Sequence, residues 1–111
     1  MRSVIDERTI ARAAEMLLRA APGSKVILFG SHARGQAGPD SDLDFVVVEP
    51  RVTSRREEAV RLRDVLRPLR IPVDILVISE ETFRTWSDTP GTVVYEAAHE
   101  GRVFDAVEAI R

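Results

Sequence analysis

The fold is decided by residues 26–48, which read VILFGSHARGQAGPDSDLDFVVV. Two apolar runs, at residues 26–29 and 43–48, flank a segment with three glycines and one proline. Apolar, β-branched runs bounded by turn residues are typical of buried strands. We therefore predict two strands joined by a loop over residues 30–41, with one helical turn near Ala33.

Helical patterns surround these two strands. Apolar residues recur at helical spacing from residue 6 to 21, where Asp6 can cap the start and Pro22-Gly23 ends the helix. A capping box at residues 54–57 precedes a second helix, which Pro68 is expected to distort or end.

The second half of the chain predicts a third strand at residues 73–78. A helix should follow from Ser79, with Phe83 and Trp86 packed inward, and then a helix at 93–99 and a short strand at 103–104. This order predicts a small α/β or α+β domain, in which helices back one face of a short mixed β-sheet.

Composition limits the class of protein. A chain of 111 residues with 44% hydrophobic residues suits one compact domain over 1–111. The formal net charge of −2 offers no general attraction to nucleic acid or anionic lipid. Cysteine is absent, which excludes disulfides and thiolate zinc sites. The N-terminal residues lack the apolar core of a signal peptide and no stretch suits a membrane span, so a cytoplasmic protein is expected.

Three aspartates carry the chemical prediction. Asp42 and Asp44 are two residues apart at the start of a strand, so both side chains point to one face. If the third strand is a neighbour, Asp74 can lie beside them. Three such carboxylates need protons or a divalent cation, and oxygen ligands suit Mg²⁺ or Mn²⁺ bound together with substrate phosphates.

Gly30 and Ser31, at the end of the first strand, predict a phosphate-binding turn. Glycine lets the backbone approach a ligand closely, and a serine that opens a helical turn presents its hydroxyl and nearby amides to an anion. Arg34 follows, within reach of a polyphosphate. Together with the aspartates, this turn indicates a metal–triphosphate substrate.

At these residues the sequence resembles the minimal nucleotidyltransferases of the DNA polymerase β-like superfamily. Gly30-Ser31, ten further residues and then Asp42-Leu43-Asp44 reproduce the family's G-S-x(10)-D-x-D signature. Asp74 stands where the family has its third carboxylate. The resemblance covers residues 24–78, and residues 90–103 look like the family's closing helix and strand.

The resemblance implies a function beyond what the residues show. Short members of the family are antitoxins of HEPN-domain toxins and transfer AMP from ATP to a toxin tyrosine. By analogy, Ser31 contacts the triphosphate, Asp42 and Asp44 hold the metals, and Asp74 completes one metal site. A HEPN toxin in a hetero-oligomer is thus the expected partner, with neither a membrane nor direct nucleic-acid contacts.

Several of these motifs also have a simpler interpretation. An EF-hand is rejected, because Phe45 and Arg51 replace its required Gly and Glu. A D-x-D pair alone is often only a solvated turn, and the arginines of residues 51–70 interleave with acidic residues as on a solvated face. His32 is expected to be exposed and receives no role.

Two alternative functions stay open at this point. A binding-only antitoxin would neutralise a HEPN toxin by contact alone. Transfer to a small molecule, as in aminoglycoside nucleotidyltransferases, normally requires a second domain, and only about 30 residues follow the third strand.

Overall fold

A four-stranded mixed sheet in the order β3-β2-β1-β4 forms the centre of the computed structural model, which describes residues 5–105. The strands are β1 (Lys25–Phe29), β2 (Leu43–Glu49), β3 (Val73–Ser79) and β4 (Arg102–Phe104). β1 runs antiparallel to β2 and β4, whereas β3 runs parallel to β2. The predicted mixed sheet is confirmed, and β3 forms one of its edges.

Four α-helices accompany the sheet: α1 (Glu7–Ala20), α2 (Arg55–Leu66), α3 (Glu80–Trp86) and α4 (Val93–Glu100). Their starts follow from the sequence, because Asp6, Ser54, Ser79 and Thr92 each accept a hydrogen bond from the amide three residues later. As predicted, α2 tightens at Pro68, where a 3₁₀ turn covers Arg67–Leu69.

The helices lie on both faces of the sheet, so the expectation that they all back one face is wrong. α1 and α2 pack on the face that carries Val26, Phe45 and Ile75. α3 and α4 pack on the opposite face, against Ile27 and Val46. Both faces of the strands are apolar, and each face therefore needs its own cover.

Within α3, only part of the predicted packing is found. Phe83 packs against the second apolar cluster, and the ammonium of Lys25 lies 5.9 Å from the centre of its ring. Trp86, the last residue of this two-turn helix, keeps 47% of its surface exposed. The inward position of the helix is taken by Phe83, and the expectation for Trp86 is wrong.

None of the helices within residues 5–105 is long and apolar enough to cross a membrane. The N-terminal sequence considered for a signal peptide begins with residues 1–4, and the single domain predicted over 1–111 ends with residues 106–111. Both of these end segments lie outside the described residues.

Candidate active site

The parallel pairing of β2 and β3 places Asp44 directly beside Asp74. These two residues are register partners, and adjacent strands lie ~4.8 Å apart. Leu43 and Ile75 point to the α1/α2 face, so the two aspartates project from the opposite face. The sheet register thus brings two carboxylates from separate strands together.

Asp42 precedes β2 by one residue and is exposed, as is Asp74, whereas Asp44 is half-buried. The pKa of Asp44 is raised above its usual value, mainly by burial and next by the negative charges of Asp74 and Asp42. Glu96 adds to this rise, while His32 opposes it. A cation bound beside Asp44 would therefore stabilise the ionised form of this carboxylate.

Gly30 is required by the position of the Asp44 side chain. Its φ of +78° lies in the left-handed region, and a Cβ on Gly30 would lie 2.5 Å from Oδ2 of Asp44. Only glycine leaves room for the carboxylate over the backbone here. The glycine of the G-S signature thus leaves the space that the half-buried Asp44 side chain occupies.

The turn after Gly30 has the predicted helical form. The carbonyl of Gly30 accepts hydrogen bonds from the amides of Ala33 and Arg34 at 3.1 and 3.2 Å, and the carbonyl of Ser31 accepts one from Gln36. The amides that open such a turn are not used by its internal hydrogen bonds. Ser31 is therefore the first residue of this turn and directly follows Gly30, which contacts Asp44.

His32 is only 8% exposed, so the expectation of an exposed side chain is wrong. Its Nε2 lies 3.2 Å from the carbonyl oxygen of Ser41. The ring thereby links the start of the 30–41 loop to its end, one residue before Asp42. Burial follows from this bridge, which the local sequence does not reveal.

Arg34 is exposed and reaches a residue that the sequence did not single out. Its Nη1 lies 3.1 Å from Oε2 of Glu96 in α4, and its Nε donates to Gln36 at 3.2 Å. The guanidinium is therefore held beside the turn by α4. Glu96 also acts on Asp44 electrostatically, so it belongs to the acidic surroundings of the site.

A divalent cation fits the donor set, though not as a preformed cage. Within residues 5–105, no three carboxylate or imidazole groups are arranged as a ready metal site. Mg²⁺ commonly takes one or two carboxylates and completes its shell with water and substrate phosphates. Asp42, Asp44 and Asp74 are the residues that would hold it, and the charges crowded around Asp44 favour its binding.

A known protein family and several solved structures match most of this chain. The family model of the nucleotidyltransferase domain matches residues 10–104. No curated protein sequence matches the chain significantly.

Similar solved structures share the fold at low sequence identity. A Sulfolobus solfataricus protein assigned as a nucleotidyltransferase has a TM-score of 0.57 and 21% identity, with 87% of this chain and 77% of that chain covered. A toxin–antitoxin with AMP-PNP has a TM-score of 0.57 and 22% identity, with coverage of 96% and 85%. A mutant of the toxin–antitoxin MntA-HpeT has a TM-score of 0.53 and 20% identity, with coverage of 96% and 84%.

The family model shows the class of protein, an enzyme that transfers nucleotidyl groups. More particularly, the chain belongs to the nucleotidyltransferase domain family, whose model spans all four strands and most of α1. The family predicted from Gly30-Ser31 and Asp42-Leu43-Asp44 is confirmed at this level.

Proposed function

We propose that this protein is an antitoxin that transfers AMP from ATP, with Mg²⁺ or Mn²⁺, to a tyrosine of a HEPN-domain toxin. The observation that carries the proposal is the register of Asp44 with Asp74, next to Gly30 and the turn that Ser31 opens. Two of the similar structures are toxin–antitoxins, one of them with AMP-PNP, which supports a toxin partner and an adenine nucleotide.

In this proposal Asp42, Asp44 and Asp74 hold the metal, which neutralises charge on the triphosphate when bound. Ser31 and Arg34 bind the phosphates. The acceptor oxygen attacks the α-phosphorus, the bond to the β-phosphate oxygen breaks, and pyrophosphate leaves. Asp74 is exposed at the edge strand and takes the proton of the acceptor hydroxyl.

The open position of the site supports a protein acceptor. Asp42 and Asp74 are exposed, and the described chain adds only two short helices and one short strand after β3. Of these elements, α3 and α4 pack on the face of the sheet from which Asp44 and Asp74 project. A protein acceptor would reach the exposed carboxylates with its own surface. Residues 1–111 would act as a single catalytic domain in the cytoplasm, in a hetero-oligomer with the toxin.

The proposal is tested with the purified chain, ATP labelled at the α-phosphate, Mg²⁺ and the protein encoded by the adjacent gene. Label is expected on a tyrosine of that protein, and the Asp42→Ala/Asp44→Ala variant should transfer none. Neutralisation of the partner by this variant, without label, would instead indicate a binding-only antitoxin.

A further inference from the structure

The outer edge of β3 is open along its length. β3 pairs only with β2 among the described residues, so its other side offers unpaired backbone amides and carbonyls. A groove of about 640 Å³ follows this edge between α2 and the strand, with Val60, Ile75 and Val77 among its lining residues. A second groove, of about 360 Å³, continues it past Val73.

Arginines line both grooves. Arg55, Arg56 and Arg63 of α2 border the first, and Arg70 borders the second. All four are exposed, and no ion pair holds any of them within residues 5–105. By contrast, Arg67, which also lines the second groove, is paired with Asp64. The cations along the β3 edge are therefore available to a partner.

We propose that this edge binds the acceptor: an extended, acidic segment of a partner protein adds to β3 as a fifth strand. The proposal rests on the proposed function, because it identifies how the acceptor of that reaction is held. Main-chain hydrogen bonds to an open edge give affinity, and alternate side chains enter the flanking groove. Side chains alternate along a strand, so acidic side chains on the α2 side of the segment would pair with the arginines, and the acceptor tyrosine would lie on the other side, with Asp74.

Asp74 explains why the acceptor should come from this side. It lies on β3 itself and points to the face opposite α2. On an added strand, the residue opposite Asp74 would lie ~5 Å away and point to the same face. A tyrosine at that position would stand beside Asp74, with Asp44 one strand farther away. Strand addition thus brings the acceptor to the exposed side of Asp74.

The charge of the edge disfavours other occupants. Two copies that paired through β3 would bring their α2 arginines together, and like charges repel. A nucleic acid would leave the apolar lining of Val60 and Ile75 against phosphate. An extended segment with acidic side chains on its α2 side matches both the open strand edge and the arginines.

The test uses the full chain and the nine-residue peptide Val-Glu-Val-Glu-Tyr-Glu-Val-Glu-Val, in which all Glu side chains share one face of the strand and Tyr lies on the other. A peptide with Lys in place of Glu serves as its control. Binding is followed by amide shifts in nuclear magnetic resonance spectra and by hydrogen exchange, without nucleotide or metal. The acidic peptide is expected to shift β3 amides and slow their exchange, with little effect on β4. No change in β3 at millimolar peptide, or equal binding of the Lys peptide, would overturn the proposal.

Charge reversal supplies the matched variants. Arg55→Glu/Arg56→Glu/Arg63→Glu should weaken peptide binding at least about tenfold. The control Arg8→Glu/Arg12→Glu/Arg19→Glu makes the same change in net charge on α1 and should bind like the parent. Equal weakening of peptide binding by both triple variants would contradict the site. So would a β3 edge that is already protected from hydrogen exchange in a dimer, or one that binds an oligonucleotide as well as the acidic peptide.

The outcomes separate this inference from the proposed function. Peptide binding at β3 without any label transfer from ATP would leave the docking site standing and remove the transfer reaction. If label is transferred to the partner and the β3 charge reversal does not change that transfer, the transfer reaction stands and the docking site is removed.

Discussion

Gly30 and Asp44 are in such close contact that a single methyl group on Gly30 would displace the carboxylate. The Cβ would lie 2.5 Å from Oδ2, at the end of the strand that pairs with β2. Gly30, which precedes the turn at Ser31, and the half-buried Asp44 are therefore one structural unit.

The first prediction compares Gly30→Ala with Gly35→Ala. Both glycines have left-handed φ values, +78° and +71°, but nothing lies within 4 Å of a Cβ at Gly35. Each variant should lose about 1–2 kcal/mol of unfolding free energy from backbone strain. Only Gly30→Ala should also lose Mg²⁺-dependent nucleotide binding, as measured by calorimetry. Equal binding losses in the two variants would show that the contact with Asp44 is unimportant.

The second prediction concerns Asp44→Asn. Metal ligation contributes several kcal/mol to transition-state stabilisation, so transfer should fall ~10³-fold or more. The stability of the Asp44→Asn variant should instead increase. Burial and the charges of Asp74 and Asp42 raise the pKa of Asp44, so its ionised form destabilises the fold, and stability falls as pH rises through that raised pKa.

The measurement is the melting temperature of Asp44→Asn and of the parent, without metal, at pH 4 and pH 7. Asp44→Asn should melt higher than the parent at pH 7, and the difference should shrink at pH 4. The exposed Asp88 provides the control Asp88→Asn, whose melting temperature should equal that of the parent at both pH values. A lower melting temperature for Asp44→Asn at pH 7 would contradict the strain assigned to this carboxylate.

The third prediction concerns a second carboxyl pair, at the far end of β2. Burial and the Glu58 carboxylate raise the pKa of Glu49 to about 7, and Arg61 opposes this rise. Hydrogen bonds from Arg61 and Glu49 lower the pKa of Glu58 to about 2. A raised acid pKa means that stability falls as pH rises from the ordinary value of 4.5 to about 7.

Glu49→Gln should therefore reduce the fall in melting temperature that the parent shows between pH 5 and pH 8. The lowered pKa of Glu58 acts at the acid end, where stability is lost as pH falls toward about 2. Glu57→Gln changes an exposed neighbour on α2 and should follow the parent. If the melting temperature of Glu49→Gln falls with pH as steeply as that of the parent, the Glu49 carboxyl is not the source of this pH dependence.

The fourth prediction tests Arg34. In the proposed reaction its guanidinium leaves Glu96 for the triphosphate, and a hydrogen bond to a charged group contributes about 1.5–3 kcal/mol. Arg34→Ala should raise the KM for MgATP roughly 10- to 100-fold, with a smaller change in kcat. Arg102→Ala removes a similar exposed pair with Glu7 and should leave KM unchanged. A KM for Arg34→Ala equal to that of the parent would remove Arg34 from the nucleotide site.

The sequence predicted the parts of the site whose positions follow from strand geometry. Asp42 and Asp44 flank a strand start, and the apolar residues around Asp74 fix which way it faces. Local patterns are sufficient there, because side chains alternate along a strand. The turn at Ser31 was likewise predicted from glycine and serine alone.

Long-range contacts were not predictable in the same way. Glu96 meets Arg34 across 62 residues, and no local pattern marks a helix residue for such a contact. The burial of His32 depends on the carbonyl of Ser41, which is set by the shape of the whole loop. The cover of both sheet faces depends on how α3 and α4 return to β1 and β2.

The central claim is tested most directly by calorimetric titration of a non-hydrolysable ATP analogue, with and without Mg²⁺. The parent should bind one nucleotide only when Mg²⁺ is present, and Asp42→Asn/Asp44→Asn should abolish this binding. Asp74→Asn should weaken binding, and Asp88→Asn should match the parent. Nucleotide binding that needs neither Mg²⁺ nor the carboxylates at positions 42 and 44 would contradict the account.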